Sequence, residues 1–107
     1  MTSLMNIALG GLQRNARGVQ VTAENVANVN TDGFRAGRYD PASDSVTLSS
    51  DVRPDAVAPG QEALPPSNVD LATELVNLKT FEIGYRASGA VFSVADRMAG
   101  ELLDLLA

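Results

Sequence analysis

The chain has 107 residues, a formal charge of -5 and a sequence pI of about 4.4, with no cysteine and no histidine. This excludes disulfides, thiolate and imidazole metal sites and the commonest general base. With no cluster of lysine or arginine, it also argues against nucleic acid and anionic membrane surfaces as partners. The length supports one domain at most, small enough that burying its own surface is a problem.

The first element is an N-terminal helix, predicted from about Ser3 to Asn28. Leu4, Ala8, Gly11, Leu12, Val19, Ala23 and Val26 fall on one face; Asn6, Gln13, Arg17, Gln20 and Glu24 fall opposite. The apolar spacing is close to a heptad seam that contains Asn15 and Thr22. Asn15 either fixes register, as polar seam residues do, or sits at the edge of the seam. The opening residues lack the basic and continuous apolar regions of a secretory signal, and no apolar run reaches the roughly 18 residues of a membrane span. The helix is expected to stop within "NVNTDGF": Asn28 to Asp32 bond to their own backbone, Gly33 accepts positive φ, and Phe34 folds back onto the helix end. The same residues partly match the start of a calcium loop, but its twelfth place, which needs a bidentate Glu, is Tyr39, and too few carboxylates remain.

Residues 36–66 hold all five prolines among Ser, Asp and Gly, with scattered Val46, Leu48, Val52, Val57 and Leu64. "SVTLS" alternates like a short strand, without an obvious partner. The segment reads as an extended, partly disordered connector with room for one hairpin.

Pro65-Pro66 blocks any helix from running through. Ser67 and Asp70 form a capping-box-like start, and no proline follows, which allows a helix of roughly 40 residues and on the order of 60 Å. One apolar stripe holds Val69, Val76, Ile83, Ala87, Ala90, Val94, Met98 and Leu105. A second holds Leu71, Leu75, Leu78, Tyr85, Phe92, Ala99, Leu103 and Leu106. Only Lys79, Glu82, Arg86, Ser93, Arg97 and Asp104 form a polar strip. A helix apolar over most of its circumference must be buried on several sides. The N-terminal helix can cover one stripe, so the second requires another subunit. Gly10, Gly11, Gly18, Gly84, Gly89 and Gly100 lie within the helical patterns, each costing up to about 1 kcal/mol relative to Ala, while permitting close helix–helix approach. A marginal monomer, ordered largely by assembly, is expected.

Two stretches carry a family resemblance. "NVANVNTDGFR" (25–35) resembles the motif closing the N-terminal helix of the bacterial flagellar axial family, the rod and hook proteins. "SNVDLATELVNLKTFEIGYRASGAVFSVADRM" (67–98) resembles the C-terminal motif of that family. Asn25, Ala27, Asn28, Thr31, Gly33 and Phe34 match the first. Ser67, Asn68, Val69, Asp70, Glu74, Val76, Leu78, Tyr85, Val91, Ala95, Asp96 and Met98 match the second. The chain departs from the family at "TFEIGY", where a Gln-Arg-rich turn is usual, and at Arg86, where an acid is common. The short middle resembles proximal-rod members, whereas "NTDGF" is closer to the distal and hook version, which leaves the subtype open.

The resemblance implies an all-α axial subunit. Its three parts would be the N-terminal helix and turn motif (1–35), the connector (36–66) and the C-terminal helix (67–107). The two helices would pack as an antiparallel coiled-coil hairpin and polymerise into the inner layer of a torque-transmitting tube. Partners would be copies of itself and homologous rod and hook proteins. Export would run through the flagellar type III apparatus to the periplasmic rod, without a signal peptide. No cofactor, nucleic acid, small-molecule substrate or transmembrane segment is expected. The candidate assembly contacts are Leu4, Leu12, Val19 and Val26 on the first helix. On the second they are Leu71, Leu75, Val76, Leu78, Ile83, Tyr85, Phe92, Val94, Met98, Leu102 and Leu105. The turn motif is Asn28, Thr31, Gly33 and Phe34, and the helix cap Ser67 and Asp70.

An enzyme is the weakest alternative. Asp70 and Glu74 share a helix face, but capping and the helix dipole account for them, and "GGLQRN" lacks the lysine and hydroxyl of a phosphate loop. Lys79, Glu82 and Arg86 form either a solvated ladder or a lateral contact strip. The main rival is a helical-hairpin adaptor or export chaperone that uses the same faces on a client.

Overall fold

The computed structural model describes residues 2–49 and 66–106. About half of the expected connector, residues 50–65, lies outside them. Four elements follow in order: α1 (Thr2–Ala27), β1 (Gly37–Asp40), β2 (Ser45–Leu48) and α2 (Leu71–Leu106). The described chain is mainly helical, as expected, and the one hairpin for which the connector had room is present, so the fold is not purely α.

The hairpin forms because "SVTL" finds its partner in "GRYD". The strands pair antiparallel, Gly37 opposite Leu48 and Asp40 opposite Ser45. The intervening loop is closed by side chains. Asp40 accepts from the Ala42 amide at 3.0 Å and from the Ser43 hydroxyl at 2.9 Å. The Tyr39 hydroxyl donates to Asp44 at 2.7 Å. A two-stranded hairpin is marginal alone, and this one rests on the helices. Gly37 lies against Val21 and Asn25, and the Tyr39 ring tilts over Phe81 with centroids 6.0 Å apart.

α1 and α2 run antiparallel, since Gly11 opposes Ser88, Gly18 opposes Phe81 and Asn25 opposes Glu74. The close approach depends on missing side chains. A β-carbon on Gly18 would stand 2.6 Å from Cγ of Phe81, and one on Gly84 would stand 2.8 Å from Cγ of Asn15. Asn15 therefore sits in the seam against a glycine of the other helix. Its amide is satisfied by the Gly11 carbonyl at 2.8 Å, and the Thr22 hydroxyl by that of Gly18 at 2.9 Å. Such i−4 bonds let polar residues enter a helix seam without leaving an unpaired group.

The seam differs from the apolar stripes read along the helices. On α1 it runs through Ala8, Gly11, Asn15, Gly18, Thr22 and Asn25, and Ala23 is exposed. On α2 it runs through Glu74, Phe81, Gly84, Ser88 and Ala95. Small and polar residues make the contact because they let the helix axes come together. The larger apolar side chains flank it.

A polar junction and a candidate assembly surface

The N-terminal helix closes through its own backbone. The Asn28 amide donates to the Glu24 and Asn25 carbonyls, both at 3.2 Å, and its side-chain amide returns to the Glu24 carbonyl at 2.8 Å. The Thr31 amide then donates to the Asn28 carbonyl at 3.0 Å, and its hydroxyl to Asn28 Oδ1 at 3.1 Å. Gly33 takes φ 78°, and the Phe34 amide reaches the Thr31 carbonyl at 3.1 Å. Two successive turns thus carry the chain off the helix. Phe34 is half-buried.

The start of α2 corrects one expectation. The helix begins at Leu71, so Asp70, not Ser67, is its N-cap. Asp70 accepts from the Ala72 amide at 3.1 Å and from the Thr73 hydroxyl at 3.2 Å. Ser67, almost fully buried, makes a turn of its own by accepting from the Val69 amide at 3.1 Å.

The two helix ends and the hairpin meet at Asn25, which is 2% exposed. Its side-chain amide pairs with the peptide of Gly37 in both directions, receiving from the Gly37 amide at 2.9 Å and donating to the Gly37 carbonyl at 2.8 Å. The same nitrogen also donates to Glu74 Oε2 at 3.0 Å. Glu74 lies in the first turn of α2, as read along the sequence, and is 3% exposed, so it also makes a buried contact. Beside it, the Asn68 side-chain oxygen accepts from the Ala36 amide at 2.7 Å, and the Asn68 backbone N–H donates to the Phe34 carbonyl at 3.3 Å. Ala36 and Val69 fill the floor. The sequence reading gave Asn25 no role beyond the motif; an Asn at the end of a seam on α1 and a Glu one turn into α2 were the available signal.

The candidate contact residues divide into three groups. Leu4, Leu12, Val19, Val26, Leu78 and Phe92 are half-buried along the flank of the helix pair. Val19, Leu78 and Tyr85 line a groove there of about 310 Å³, rimmed by Glu82 and Arg86. The second stripe is therefore partly covered within the chain, contrary to expectation, because α1 lies beside Leu78 and Phe92. Val76, Ile83, Val94 and Met98 form the less covered stripe, with Val76 65% and Ile83 58% exposed. Leu71, Leu75, Leu102 and Leu105 are exposed towards the two ends of α2. Glu82 bridges Arg86 at 2.8 Å and Lys79 at 3.6 Å on the polar strip, exposed pairs of small energetic weight. Among the described residues, no helix is long and apolar enough to cross a membrane.

Residues 5–35 match the family model of the flagella basal body rod protein. The matched segment contains most of α1 and the whole of its closing turn, whereas the motif over 67–98 lies outside it. No curated protein matches the chain. Over α1 and the turn that ends it, the chain is therefore similar to the flagella basal body rod family.

Proposed function

We propose that the chain is a structural subunit of the flagellar basal-body rod, which polymerises through its two helices into the inner layer of a helical tube and transmits torque there. The observation that carries this reading is the exposed stripe Val76, Ile83, Val94 and Met98 on α2, in a chain whose first helix matches the rod family. Four apolar side chains on one helix face, 47% to 65% exposed, gain by burial against a neighbour. A surface on one side of the molecule that docks elsewhere on the next copy gives a heterologous, open-ended assembly, as a tube requires. The short span between the helices supports a proximal-rod-like subunit. Export through the type III apparatus to the periplasmic rod and partnership with homologous axial proteins follow from the same reading, as does a structural, non-enzymatic role.

The test is location. In cells carrying a tagged copy, purified basal bodies are expected to retain the protein within the rod, and its deletion to stop flagellar growth before the hook. Recovery of the protein only in a discrete soluble complex with a client would overturn this and favour the adaptor.

A further inference from the structure

The Asn25 side chain has two N–H groups and one carbonyl oxygen, and all of them are used at one point. The oxygen and one N–H close a two-way pair with the Gly37 peptide; the other N–H goes to Glu74 across 49 residues of sequence. Gly37 is the first residue of β1. It lacks a side chain where a β-carbon would stand 3.3 Å from Val21 and 3.8 Å from Asn25 Oδ1, so its backbone can lie directly on the helix. Both Asn25 and Glu74 are nearly fully buried. A buried carboxylate without its donor, or a buried amide without its acceptor, is strongly unfavourable. Each of the two contacts therefore depends on the other.

We infer that the Asn25–Glu74 pair is a latch that makes docking of the hairpin conditional on pairing of the helices. When α2 separates from α1, Glu74 leaves, Asn25 is opened to water and the Gly37 peptide loses its protected partner, so the hairpin is released. When the helices pair, Glu74 orients the Asn25 amide for Gly37, and the hairpin is set across α1. Any event that stabilises the helix pair, such as burial of the α2 face against a second copy, is then reported at the hairpin, and by reciprocity a ligand of the hairpin stabilises the pair. Asn is required at position 25, since Asp could accept from Gly37 but could donate to neither Gly37 nor Glu74.

The test uses the full chain, which has no native cysteine. Gly11→Cys with Ser88→Cys places a disulfide at a point of close approach, where a Gly11 β-carbon would lie 3.1 Å from that of Ser88, so the helices must part by a few tenths of an ångström to reach the roughly 3.5–4.5 Å of a disulfide. Closing it pins the helices together far from the hairpin. Oxidation is expected to slow amide hydrogen exchange of Gly37 by about tenfold. Adding Glu74→Ala or Asn25→Ala should abolish that slowing while the helices stay pinned and helical by circular dichroism. Glu74→Gln, which keeps an acceptor for Asn25, should largely restore it. Gly37 exchange that ignores the disulfide, or slows equally in Glu74→Ala, would overturn the latch. Either result leaves the reading as a rod subunit untouched.

Discussion

Glycines inside a helix lower its intrinsic stability, and here their surroundings decide whether they can be replaced. At Gly18 the Phe81 ring occupies the place of a side chain, while at Gly10 there is nothing within 4 Å. Gly10→Ala is therefore expected to stabilise the isolated chain by up to about 1 kcal/mol through helix propensity. Gly18→Ala should destabilise it, since overpacking of about 1–3 kcal/mol outweighs the same gain. Opposite shifts in thermal midpoint by circular dichroism check the pair; a rise for both would mean that Phe81 moves aside freely. At Tyr39, burial first and the hydrogen bond to Asp44 second push the phenol above 10.0. The folded value lies above the unfolded one, so this contribution is fully present below the unfolded value and disappears as pH rises through the folded value. Tyrosinate absorbance should show one phenol titrating late, and Tyr39→Phe should remove that component.

The elements differ in how far their residues announce them. Both helices were legible from periodicity, and the stop after α1 from Asn28, Gly33 and Phe34, because turn chemistry acts locally. The contact between the helices was legible only in part: Gly11, Gly18 and Gly84 were expected to permit close approach and Asn15 and Thr22 to lie in the seam, as they do, but the stripes were centred on larger residues. Counting large apolar residues selects Leu12, Val19, Leu78 and Phe92, yet the seam is built on Gly11, Gly18, Gly84, Ser88 and Ala95, whose value lies in what they leave out. The hairpin was half-legible: "SVTL" alternates, whereas "GRYD" carries two charges and pairs through its backbone. The start of α2 was misplaced because Ser67 and Asp70 both resemble caps, and only hydrogen bonding separates them. Asp70→Ala should accordingly lower the stability of the chain by about 1 kcal/mol. Exchange of the Ala72 amide should accelerate in that variant, and an unchanged Ala72 amide would show that Asp70 does not hold the helix start.

At the scale of the whole molecule, the assembly reading rests on the exposed stripe, and the decisive experiment must disturb that stripe without disturbing the fold. Phe92 is a poor target, since it is half-buried beside α1 and a charge there would also weaken the fold. Ile83 is better: 58% exposed, it stands in the middle of the stripe with Val76 and Val94 about two and three turns away. Ile83→Asp should leave circular dichroism and the thermal midpoint of the isolated chain nearly unchanged. In an assembly, however, the variant would forgo roughly 1.5–3 kcal/mol of side-chain burial per subunit and place an unpaired carboxylate in an apolar contact. Repeated at every subunit, that loss should abolish incorporation into basal bodies. Lys79→Ala, on the solvated strip, removes only an exposed ion pair and should have a mild effect. Because a protein that is not exported also fails to assemble, the comparison is made among exported molecules. Incorporation of exported Ile83→Asp at the level of the parent would show that this stripe faces no neighbour, and the tube would have to be built through the Val19–Leu78–Tyr85 groove on the other flank of α2.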